Sequence, residues 1–144
     1  MPPNRPYIPT QIRQQVEQEA QMRCGYCRTS HIFTAKTLHI EHIIPIAAGG
    51  GSEIDNLWLA CELCNGAKGM KTHAVDPLTI ATVALFHPRL QQWSDHFRWS
   101  EDGTRILGIT PNGRATVAAL KLNRPSLVAA RKWWVSAGWH PPLE

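Results

Sequence analysis

The sequence predicts an α+β fold: a zinc-stapled finger of two strands and a helix, preceded by an N-terminal helix and followed by a hairpin-plus-helices extension. Three observations predict it. Two Cys-x-x-Cys pairs, Cys24/Cys27 and Cys61/Cys64, stand 33 residues apart. Two short runs rich in branched apolar residues lie between them, and the second pair opens a helical pattern. Beyond residue 73 the composition changes, and a turn signal at Asp102-Gly103 separates two further strand patterns ahead of two helical ones.

Taken in order, residues 1–9 are proline-rich and read as extended. Thr10 can cap a helix whose apolar positions Ile12, Val16 and Ala20 repeat every fourth residue. Cys24-Gly25-Tyr26-Cys27 then forms a tight knuckle. Residues 37–44 read as a strand with Leu38, Ile40 and Ile43 inward, broken by Pro45 and the Gly49-Gly50-Gly51 loop. Leu57-Trp58-Leu59-Ala60 reads as the returning strand, and a short helix runs from the second cysteine pair to about residue 71. The stretch 76–89 is ambiguous by periodicity; a loop with a short strand near residues 84–86 is the favoured reading. Residues 96–99 and 105–109 form a predicted hairpin, Thr110 caps a helix with Pro111 at its first position, and a last helix runs from about Pro125 to Gly138. Five of the six tryptophans fall in this later part, which reads as a small core of large aromatics; stacking on bases would need exposed rings. The domain reading is therefore 1–73 for the finger and 74–144 for the extension.

Composition bounds the function class. A chain of 144 residues with 43% apolar and 18% charged residues fits a globular domain and argues against a disordered tail protein. A net charge of +4 leans toward polyanionic partners without demanding them. Met1-Pro-Pro-Asn-Arg-Pro lacks the apolar core of a signal peptide, and no run of about 18 apolar residues suggests a membrane span. A cytoplasmic setting without a membrane partner is the expectation; no oligomeric state is assigned. In a reducing setting four cysteines in close pairs read as metal ligands, with oxidised pairs as the alternative. A tetrahedral four-thiolate site suits structural Zn²⁺, with Cys24, Cys27, Cys61 and Cys64 as ligands and no open position.

The string Cys24-x-x-Cys27, His39-Ile40-Glu41-His42-Ile43-Ile44-Pro45, Gly49-Gly50, Asn56-Leu57, Cys61-x-x-Cys64-Asn65-x-x-Lys68-Gly69 resembles the HNH endonuclease family, the zinc-bearing branch of the ββα-metal nucleases. The resemblance covers about residues 10–73, and the string from Trp93 to Pro142 is similar to an extension carried by a bacterial subset of that family. It implies that Glu41 is a metal ligand, that His42 is the general base activating water, that Asn56 braces the loop holding the imidazole, and that Asn65 is the second protein ligand. Many members carry Asp where this chain has Glu41, and the longer side chain would place the ion differently. The implied reaction is hydrolysis of DNA phosphodiester bonds to 5′-phosphate and 3′-hydroxyl ends with catalytic Mg²⁺ or Mn²⁺.

The residues agree chemically. A hard cation prefers oxygen ligands, and Glu41 with the Asn65 carbonyl would leave positions for phosphate and water. An imidazole with an ordinary pKa near ~6.5 can accept a proton at neutral pH. Adjacent residues on a strand face opposite sides, so Glu41 and His42 need a twist, a bulge, or a base that reaches round the phosphate. Lys68 and Lys71, three and six residues after Asn65, could meet flanking phosphates; a solvated helix face is the plain alternative. His39 shares the strand face of Glu41 and His73 lies just past the helix; either could approach metal or DNA, against plain packed or solvated roles. The competing functional reading is a zinc-finger module that binds nucleic acid without cutting. It needs the four cysteines but not Glu41, His42 and Asn65 together.

Overall fold

The computed structural model describes residues 7–143. The expected extended lead over residues 1–6 lies outside them. The first helix, α1 (Thr10–Glu19), starts at Thr10 itself; Pro9 stands at the cap position with no side-chain cap bond. The fixed φ of proline and its missing N–H suit a helix start, so the hydroxyl is not needed there. Val16 and Ala20 are buried against Leu38, Leu57 and Leu59. A short helix, α2 (His31–Thr34), follows the first knuckle and is capped by Ser30, whose side chain accepts from the Ile32 N–H.

The finger comprises β1 (His39–His42), β2 (Leu57–Ala60) and α3 (Glu62–Lys68). β1 and β2 pair antiparallel with Glu41 opposite Trp58 and His42 opposite Leu57. The strand is shorter than the 37–44 expected, because Ile43 and Ile44 leave the ladder to bond Asn56. The helix ends at Lys68 rather than near residue 71; Gly69, at a φ of 53°, turns the chain out. Gly25 lets the first knuckle lie against Trp58, where a Cβ would collide with the indole, and its N–H bonds the Leu59 carbonyl at 2.9 Å.

The ambiguous stretch resolves into a hairpin, β3 (His73–Val75) with β4 (Thr82–Ala84). Leu85 and Phe86, expected in that strand, lie beyond it in the core. The turn is held by Asp76, which accepts from the Leu78 N–H and the Thr79 hydroxyl and pairs with Arg114 through both oxygens. That long-range partner is invisible to local periodicity. After a single turn, α4 (Trp93–His96), the expected hairpin forms as β5 (Phe97–Trp99) with β6 (Ile106–Gly108). Then α5 (Pro111–Leu120), with the Thr110 side chain accepting from the Gly113 N–H, and α6 (Pro125–Ser136) complete the chain.

One hydrophobic cluster joins Cys24, Tyr26, Cys27 and Cys64 to Leu85, Phe86, Trp93, Phe97, Leu120 and Leu122. The Trp93 indole N–H also donates to the Tyr26 carbonyl at 2.8 Å. Residues on both sides of position 73 thus build the same core, and the tryptophans do much of the joining. Among the described residues no helix is long and apolar enough to cross a membrane.

Candidate nuclease site and metal centre

The four cysteines converge. One sulfur from each lies within 4.8 Å of the others, and Cys27 Sγ sits 3.6 Å from Cys61 Sγ. Zinc–sulfur bonds of about 2.3 Å in a tetrahedron place sulfurs ~3.8 Å apart, so the cluster fits zinc. Backbone N–H groups already point at the sulfurs: Tyr26 to Cys24 at 3.5 Å and Cys64 to Cys61 at 3.4 Å. Such bonds stabilise thiolate over thiol. Hydrogen bonds from the neighbouring cysteines hold Cys27 well below the ordinary thiol range, while burial pushes Cys24 up.

His42 projects from the opposite side of β1 to Glu41. Its Nε2 lies 3.0 Å from the Ser52 hydroxyl in the glycine-bounded loop. Partial burial, then the positive charge of Lys68, lowers its pKa below 6.5. Both effects favour the neutral ring, the form that can accept a proton. Asn56 spans the base of the loop: its Oδ1 accepts from the Ile44 N–H at 2.9 Å, and its Nδ2 donates to the Ile44 and Gly51 carbonyls at 3.0 and 2.8 Å. Gly50 packs so closely on the Ile44 carbonyl that a Cβ would overlap it.

Glu41 occupies a different environment. It is 3% exposed. Its Oε1 accepts from the Tyr26 hydroxyl at 2.8 Å and from Lys68 Nζ at 2.9 Å. Its Oε2 is enclosed and has no hydrogen-bond partner. Burial raises its pKa, and the attraction of Lys68 offsets that in part. The expectation of a phosphate-facing Lys68 is corrected: the side chain turns inward, also bonding the Ile43 carbonyl at 2.8 Å and the His42 carbonyl at 3.4 Å. The physical reason is the buried carboxylate, which needs a countercharge more than the helix face needs a lysine. Asn65 lies exposed on α3, and Lys71 lies exposed beyond its end with Nζ on the Ala67 carbonyl. His39 is half-buried and His73 exposed.

A divalent ion that meets phosphate and water needs accessible ligand oxygens. Both Glu41 oxygens are enclosed, and one is already engaged by an ammonium group. The Glu41–Asn65 pair as placed does not fit an open catalytic Mg²⁺ or Mn²⁺ site. The sequence did not single out Tyr26 or Ser52. Tyr26 has a signal, a large residue held inside a knuckle; Ser52 has none.

Residues 24–71, about a third of the chain, match the family model described as HNH endonuclease. That stretch, which holds all four cysteines, Glu41, His42, Asn56 and Asn65, is similar to an HNH domain. Neither the comparison with curated proteins nor that with solved structures gives a match. The match supports a nuclease-type, nucleic-acid-related family for residues 24–71, and the four cysteines within it are placed to hold a metal ion.

Proposed function

We propose that the protein is an endonuclease that hydrolyses DNA phosphodiester bonds to 5′-phosphate and 3′-hydroxyl ends, with His42 as general base. The observation that carries this reading is the partly exposed imidazole at the end of β1, facing a loop pinned by Asn56. For the reaction, a water molecule takes the place of Ser52 at His42 Nε2. Its proton passes to that nitrogen as its oxygen attacks phosphorus, the bond to the 3′ oxygen breaks, and that oxygen is protonated from solvent. Asn56 fixes the backbone of Ile44 and so the exit of β1, which limits how far the ring can swing. Lys68 bonds the His42 carbonyl from the other side and has the same effect. Lys71 is the lysine left to meet a flanking phosphate. The net charge of +4 favours binding to DNA, and such binding weakens with salt.

The test is a supercoiled-plasmid assay on the full zinc-loaded chain with Mg²⁺, with Mn²⁺ and with EDTA. Nicked or linear product is expected, and His42→Ala lowers the rate by about 10²-fold or more at unchanged zinc content. Undiminished cutting by that variant rejects the base assignment. Binding without cutting under every condition favours the second reading, a zinc module that holds nucleic acid. The enclosed Glu41 is the specific observation in its favour.

A further inference from the structure

Helix α6 buries a charge that has no carboxylate partner. Arg131 is 0% exposed. Its guanidinium donates to the Thr104 carbonyl at 3.1 Å, to Asn123 Oδ1 at 3.2 Å and to the Leu122 carbonyl at 2.7 Å, all neutral acceptors. Its Nε is buried with no hydrogen-bond partner, and its Cζ stands 5.4 Å from the Trp99 ring. Among the described residues no ion pair includes it. A guanidinium does not give up its proton in a protein, so burial costs several kcal/mol unless opposite charge is near.

The surroundings lead to the thiols. Leu122, which accepts from Arg131, packs in one cluster with Cys24, Cys27 and Cys64, and Trp99 and Cys61 pack against that cluster. Leu127, one helical turn before Arg131 on the same face of α6, lines a cavity of about 190 Å³ together with Cys61 and Thr29. Burial lowers the Arg131 pKa, and the charges that push it back up are those of Cys27, Cys64 and Cys61. Four thiolates around one Zn²⁺ carry two net negative charges, which are themselves costly to bury.

We propose that Arg131 is the charge partner of the zinc–thiolate centre, so that α6 closes over the knuckles as a part of the metal site. The inference rests on the zinc reading of the four cysteines and is independent of any cleavage. It gives the C-terminal half a defined task. Zinc loading and the seating of α6 become coupled, because each supplies the charge that makes burial of the other tolerable.

The experiment uses the full chain and begins with zinc stoichiometry. A wild-type chain that holds no zinc defeats the zinc reading itself. With zinc present, affinity is measured by competition against a chromogenic chelator. Arg131→Met is expected to weaken zinc by about tenfold or more, and Arg131→Lys, which keeps the charge, recovers part of the loss. In a Cys61→His background the centre carries one negative charge fewer, and the Arg131→Met factor shrinks. Equal zinc affinity in the wild type and Arg131→Met, or equal losses for the Lys and Met variants, overturns the proposal. So does an Arg131→Met factor unchanged by Cys61→His, since that is the behaviour of a residue acting through packing and neutral hydrogen bonds alone. If Arg131→Met does not fold, Arg131→Gln against Arg131→Lys makes the same comparison of charge.

Discussion

Glu41 and His42 are neighbours on one strand, yet they sit in different media. Glu41 lies under α3, sealed with Lys68 and Tyr26. His42 lies on a partly exposed, loop-covered surface, with the exposed Ser52 hydroxyl as its partner. Between them the strand separates a sealed interior from a partly exposed face that carries the proposed base. The zinc cluster belongs to the interior side, since Tyr26 is flanked by two of its ligands and touches Glu41 directly. The lesson is that a motif read as one convergent site can be two layers: one buried and structural, and the other partly exposed and, on the proposal above, reactive.

Removing zinc tests the interior layer most severely. Metal binding to such a site contributes on the order of 10 kcal/mol to folding a unit of this size. A strong chelator, or Cys61→Ala, should abolish the cooperative thermal transition and expose the tryptophans, as read by fluorescence. A metal-free chain that melts as the wild type does would remove zinc from the account of stability.

The next effect separates the two faces of β1. Glu41→Gln leaves the buried Lys68 ammonium without its countercharge, which should cost about 3–5 kcal/mol in denaturant unfolding. Adding Lys68→Met should restore much of that loss, because the pair is removed together. His42→Ala, one residue along, should change stability by no more than about 0.5 kcal/mol. A stable Glu41→Gln protein that has lost only metal-dependent cutting would instead put Glu41 in the reactive layer.

How much of this was legible follows from the range of each interaction. The cysteine framework could be read because a two-residue gap is a local constraint that tetrahedral coordination imposes. The β5–β6 hairpin and α5 were legible for the same reason, through the Asp102-Gly103 turn and the Thr110-Pro111 start. Alternation also said that Glu41 and His42 face opposite sides. It did not say which side α3 would cover, because that depends on Lys68, 27 residues later. Asp76 with Arg114, and Arg131 among neutral acceptors, escaped for the same reason. A buried charge declares itself only when its surroundings do.

Asn56 sits at the seam between the layers. It makes three hydrogen bonds across the His42 loop, and Asn56→Ala leaves the Ile44 N–H without its partner. A loss of about 1–3 kcal/mol in stability is expected. The cutting rate should fall less than it does for His42→Ala, since the amide orients and does not react. An unchanged rate would show that the imidazole needs no brace.

The smallest effect concerns pH, and it sets two histidines apart. His140 is buried and pairs its Nε2 with the Gly103 carbonyl, a bond in which the nitrogen must donate. Burial, with Arg131 and Arg23 nearby, takes its pKa from 6.5 to about 4. A base with a depressed folded pKa binds protons more readily when unfolded. Its contribution is therefore complete above about pH 6.5 and is lost as pH falls toward 4. His42 is shifted in the same direction but is only half-buried, so protonating it should remove the base and leave the fold in place. Melting at pH 7 and at about pH 4.5 should show a loss of a few degrees from His140, diminished in His140→Asn. The cutting rate of both proteins should fall together below the His42 pKa. An identical acid slope of stability in wild type and His140→Asn would place the acid sensitivity elsewhere. A cutting rate indifferent to pH between 5 and 7 would mean that the partly exposed imidazole is not the group that takes the proton.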